Sequence, residues 1–176
     1  YDTVIAANGG KYPIGPGIIT LHSHEMASRR SPLSAYMRYQ IDLPDRIVEL
    51  AILTAARCHD CPYVWSAHAG PARKAGVSDA LLTALREDRP LPDAPEDELA
   101  VIRYGLEVMR KHAASDEIFQ AALAHFGTQK LVELTSLMGH YAQNAYLVNA
   151  FALEVPADEQ EPSLPDRKST RLNSSH

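Results

Sequence analysis

Residues 46–75, RIVELAILTAARCHDCPYVWSAHAGPARKA, decide how this chain is read. Ile47, Val48, Leu50, Ala51, Ile52 and Leu53 leave almost no polar face, which predicts a central buried helix opened by Pro44 and running to about Arg57. Glu49 stands inside that apolar run, where a carboxylate must find a partner or take up a proton. Twelve residues later Cys61 directly precedes Pro62, a residue suited to the first turn of a new helix. Backbone N–H groups at a helix start favour the thiolate. His68, seven residues beyond Cys61, falls two helical turns on and so on the same face as the thiol. The pattern predicts a proton relay beside a thiol.

Outward from this stretch nearly every segment reads helical. Residues 1–16 are rich in Gly and Pro and predict a surface loop. Gly17–Ser28 and Pro32–Gln40 read as two short helices split by the polar run SRRSP. Residues 58–61 form a break, and the helix begun by Pro62 stops at Gly76. Ser78 caps a helix through about Leu85, and the prolines at 90, 92 and 95 mark a loop over 87–95. Leu99, Ile102, Leu106 and Met109 form an amphipathic stripe over 96–113. Ser115 is placed to cap a helix ending at Gly127, and Thr128 to cap a last helix reaching about Leu153. No alternating run of strand length occurs, so the class is all-α. The octet from Arg46 to Leu53 is echoed from Lys130 to Leu137, with Glu133 answering Glu49. Two pseudo-repeated helical units follow from that echo. Ala145 and Ala152 answer Cys61 and His68, which leaves the chemistry to the first unit and makes Glu133 structural.

The segment resembles the carboxymuconolactone decarboxylase family, whose redox branch is the alkylhydroperoxidase D (AhpD) type. That branch reads Glu-x11-Cys-x2-Cys-x3-His. Glu49, Cys61 and His68 match it with every spacing kept, while Val64 stands at the second cysteine. The likeness continues through Tyr63, Trp65 and the ARKAG run ending at Gly76, and more loosely over Pro16–Val155. It implies an AhpD-like helical fold over 17–155, a homo-oligomer, a small-molecule substrate and no cofactor.

Composition narrows the classes further. Hydrophobic content of 45% and charged content of 22% in 176 residues suit one domain with a substantial core. A net charge of −5 gives no basic footprint for nucleic acid or an anionic membrane. Two cysteines without a signal pattern point to a reducing cytoplasm. The chain starts at Tyr1 rather than Met, so an N-terminal piece is expected to be missing. A C-terminal loop is expected over 156–165. The tail 166–176, DRKSTRLNSSH, reads like a translated sequencing-adaptor oligonucleotide. Without its three basic residues and one acid the balance is 14 against 21, or −7.

Candidate site residues follow. His68 lies one turn from Val64, whereas Cys61 is roughly 10 Å away along the axis, so proton transfer to that thiol needs a bridging molecule. Cys58 and Cys61 form a shifted CxxC, either two unrelated cysteines or a replacement dithiol with Cys58 as resolving partner. Cys58, His59, Cys61 and His68 have metal-ligand side chains without ordered zinc spacing. Tyr63 and Trp65 suit pocket walls or interface positions, and His140, Tyr141 and Asn144 could line the same cavity or form a core polar cluster. His22, His24, His112 and His125 read as surface.

The leading expectation is a peroxiredoxin-like thiol oxidoreductase that consumes peroxide with a thiol reductant. In it Cys61 is the thiol, Cys58 its resolving partner, and His68 with Glu49 the relay. The alternative is a cofactor-free lyase or isomerase on a lactone or related carboxylate, with His68 as general acid or base. A third reading is a non-catalytic domain of the same fold. No arginine cluster stands near the motif in sequence, and Arg57 and Arg73 are the nearest candidates to hold an anion.

Overall fold

In the computed structural model, which describes residues 15–157 and 160–165, seven helices follow one another. They are α1 (Pro16–Thr20), α2 (His24–Tyr39), α3 (Asp45–Cys58), α4 (Pro62–Lys74), α5 (Asp79–Glu87), α6 (Glu96–Lys111) and α7 (Asp116–Ala150). No strand occurs among the described residues, and the fold is all-α. No helix among them is long and apolar enough to cross a membrane.

Helix α3 is the centre, as its nearly uniform apolar sequence requires. Its residues from Ile47 to Arg57 are all buried, and α4, α6 and α7 pack around it. Leu50, Ile52 and Leu53 have no exposed surface, each contributing roughly 1.5–3 kcal/mol through burial. Gly105 lets α6 come close: a Cβ there would stand 2.8 Å from Thr54 Cγ2 and 2.9 Å from Met138 Cε. The second part of α7 carries the echo of α3. There Glu133 accepts a hydrogen bond from Tyr36 at 2.7 Å rather than facing a histidine.

Two local expectations are corrected. The SRRSP run does not split a pair of helices, because α2 continues from His24 to Tyr39 with Pro32 inside it. Proline removes one backbone donor, but Arg30 of that run and Ser34 just beyond it find partners on α7, while Ser28 and Arg29 bond Glu25 within the helix. Ser115 occupies the N-cap position of α7 without capping it. Its N–H and hydroxyl both donate to Glu107, at 2.8 Å.

Other local signals act as their residue types dictate. The hydroxyl of Ser78 accepts from the N–H of Leu81. Gly127, at φ 71° and ψ 170°, divides α7 in a conformation an L side chain rarely adopts. Beyond α7, residues 160–165 carry no helix, yet Leu164 is buried in the core and Glu161 pairs with Arg73. The expectations for residues 1–14 and 166–176 lie outside the described residues.

Candidate active site

Four helices meet at Glu49. Its side chain, on α3, is buried at 3% exposure, so it needs partners for both oxygens. Arg38 of α2 donates to Oε1 at 2.5 Å, and His68 of α4 bonds Oε2 through Nδ1 at 2.8 Å. From α7, Tyr141 meets the imidazole edge-on, with ring centroids 5.1 Å apart. Burial pulls the Arg38 guanidinium down, but Glu49 together with Tyr141 and Tyr39 more than offsets this and the net shift is upward. Burial also pushes the Tyr141 phenol well above its ordinary value, which keeps it a hydroxyl. The imidazole is thus oriented by a carboxylate that is itself held by a cation, and Nε2 is the ring nitrogen left for a substrate.

His68 and Arg38 open on a cavity of about 530 Å³ between α1, α2, α4 and α7. Tyr63, Val64, His140, Tyr141 and Asn144 also line it. At its far end Arg30 donates to Asn144 and lies 3.4 Å from His140 Nε2, while Ser34 lies 3.0 Å from the same nitrogen. Burial, and after it the Arg30 cation, hold His140 down to about 4. A neutral imidazole facing a guanidinium must accept there, so the ring carries its proton on Nδ1.

The structure separates the thiols from this cavity. Cys61 has no exposed surface and belongs to the apolar core, outside the residues that line the cavity. The reason lies in its backbone. Cys61 is the N-cap of α4, extended at φ −107° and ψ 92°, so the helical spacing that would align it with His68 begins only at Pro62. Burial raises its thiol, and the N–H groups of Val64 and Tyr63 at the helix start only partly oppose that. Cys58 is half-buried, faces Arg110, and is also raised by burial. Both cysteines are free thiols. Trp65, expected as a pocket wall, is buried in the core instead. His59 stacks edge-on against Tyr146, at 4.8 Å. Among the described residues no group of three His, Cys, Asp or Glu side chains could hold a metal ion.

The arginines near the motif in sequence are also elsewhere. Arg57 is buried against Asp60 at 2.7 Å and Asp88 at 3.7 Å, and Arg73 pairs with Asp79 and Glu161. The cavity takes its arginines from α2. Arg30, Ser34 and Arg38 recur every fourth residue and share one helical face. That spacing was available in the sequence, but a helix broken at SRRSP has no such face.

The sequence pattern of the carboxymuconolactone decarboxylase family matches residues 25–95. Residues 25–95 are a carboxymuconolactone decarboxylase family segment. The segment holds Arg30, Ser34, Arg38, Glu49, Val64 and His68, while α7 supplies His140, Tyr141 and Asn144 from outside it. Among solved structures the chain is similar to a protein of unknown function from Agrobacterium tumefaciens, provisionally described as the antioxidant defence protein AhpD. Identity is 22% over 80% of this chain and 97% of that one, with a TM-score of 0.71. That likeness establishes the AhpD-like fold. No curated protein matches the chain.

Proposed function

We propose that this carboxymuconolactone decarboxylase family chain is a cofactor-free acid–base enzyme, a lyase or isomerase acting on a lactone or related carboxylate. One observation carries the reading: the imidazole anchored on Glu49 opens on the cavity, and the two thiols do not. In the decarboxylating form, the bond from a ring carbon to its carboxylate breaks and carbon dioxide leaves. The electron pair passes into conjugation with the lactone carbonyl, and His68 delivers a proton through Nε2 to the carbon that receives the pair. Glu49 balances the imidazolium before that step and fixes its orientation throughout. Arg38 holds Glu49 in place through its ion pair.

The thiol-antioxidant reading retains one support, the N–H groups of Tyr63 and Val64 beside the Cys61 sulfur. It would require the core around Cys61 to open before peroxide could reach it. Two free thiols suit a reducing cytoplasm. Exposed Leu33, Tyr39, Val132 and Tyr146 support the proposal of a homo-oligomer.

The test is turnover of carboxylated γ-lactones by the purified chain, beside thiol-dependent peroxide consumption. The reading expects His68→Ala to lose lactone turnover while Cys58→Ser and Cys61→Ser keep it. Peroxide consumption that disappears in Cys61→Ser, with no lactone turned over, would replace this reading by the antioxidant one.

A further inference from the structure

The two cavity arginines differ in their counter-charge. Arg38 is neutralised by Glu49. Arg30 has no carboxylate partner among the described residues: its Nη2 faces Asn144 and His140, and its buried Nε has no hydrogen-bond partner. Ser34 and Asn144 are neutral, and His140 is held neutral by burial and by Arg30 itself. Among the described residues no Asp or Glu lines the cavity. Removing a guanidinium from water without a counter-ion is costly, and burial lowers its pKa accordingly. A charge placed so is satisfied by an anion that arrives from outside.

We infer that Arg30, backed by Ser34, His140 and Asn144, is the seat of a carboxylate that takes no part in the reaction. One uncompensated guanidinium matches a monoanionic head; a phosphate dianion would bring a second charge with nothing to meet it. The walls between the seat and His68 include Ala27, Ala35, Val64 and Ala67, which suit an apolar body. Arg30 and Arg38 are eight residues apart on one face, about 12 Å along the helix at its ordinary rise. The ligand is therefore an acid whose anchored carboxylate is several carbon atoms from the reacting centre. This deepens the acid–base reading and rests on it only for the bound acid being a substrate.

The experiment is a ¹H–¹⁵N NMR titration of the whole chain with sodium benzoate and, separately, with sodium phosphate. The wild-type chain should bind benzoate with a shift of the Asn144 side-chain amide, and bind phosphate at least tenfold more weakly. R30Q should weaken benzoate binding at least tenfold, R30K should keep part of it, and H68Q should keep all of it. Benzoate shifts in the wild-type chain that spare Asn144 would overturn the seat, as would undiminished affinity in R30Q. Phosphate binding as tight as benzoate would overturn the monoanionic assignment. Because binding is read without turnover, the seat can stand even where His68→Ala shows the acid–base reading to be wrong.

Discussion

The cavity side and the thiol side of α4 share one sequence motif and have opposite physical characters. Val64 and His68, one turn apart on the helix, reach the cavity among arginines, a second histidine and tyrosine. Cys61, at the helix's first boundary, is sealed in the apolar core with its thiol raised by burial. Cys58 turns to Arg110 and the Arg57–Asp88 pair at the far end of α3. Residues adjacent in a motif are adjacent in function only when the backbone between them holds one conformation. Here the change from extended to helical at Cys61 divides them. The cavity side presents an oriented imidazole, whereas Cys61 is sealed from solvent and burial raises both thiols.

The comparison is broken most forcefully by mutating each side in turn. His68→Ala should cost about 10²–10⁴-fold in turnover, the range of a lost general acid, while Cys61→Ala leaves turnover within a few-fold; steady-state kinetics on the same lactone reads both. A Cys61→Ala loss as large as that of His68→Ala would erase the distinction.

Next in size is the buried carboxylate. Glu49→Gln deprives Arg38 of its counter-charge and should lower stability by about 1.5–3 kcal/mol, the range for hydrogen bonds to charged groups. Urea unfolding monitored by circular dichroism measures it, and an unchanged midpoint would show that Arg38 finds solvent instead.

Moving a thiol across the divide sharpens the comparison. Val64→Cys places sulfur one turn from His68, beside the Glu49–His68 pair. Its alkylation by iodoacetamide at pH 7.5 should be about tenfold faster than that of Cys61, because neighbouring cationic groups favour the thiolate. Equal rates would mean that the cavity does not activate thiols.

The smallest effect is on pH dependence. His140 is held at about 4 in the fold against an ordinary value of 6.5. The unfolded chain therefore binds the extra proton over that window, and the stability this contributes is complete above pH 6.5 and lost as pH falls toward 4. His140→Gln should flatten the decline of Tm over that interval by a few degrees or less, screened by the partly open cavity. An identical slope in the variant would assign the decline to other groups.

The helical class, the buried place of α3 and the Glu49–His68 encounter were all legible in the sequence. Each rests on a local rule: an apolar run with one carboxylate, a proline opening a helix, and a histidine set two turns into it. What was not legible depended on partners distant in sequence. Pro32 and the polar residues around it read as a break, because nothing local shows that Arg30 and Ser34 will be met by α7 more than a hundred residues later. Local sequence therefore points to Arg57 and Arg73 near the motif, whereas the cavity's arginines come from α2. Helical counting from Cys61 puts the thiol on the histidine's face, but Cys61 itself is extended and lies outside the helix.

The separation of Cys61 from the Glu49–His68 pair is tested most directly by the alkylation rate of Cys61 in a Cys58→Ser chain, with iodoacetamide at pH 8. Such a buried thiol should react at least about tenfold more slowly than free cysteine, as burial withholds the thiolate, and at the same rate after His68→Ala. A rate near that of free cysteine, falling when His68 is removed, would contradict the account.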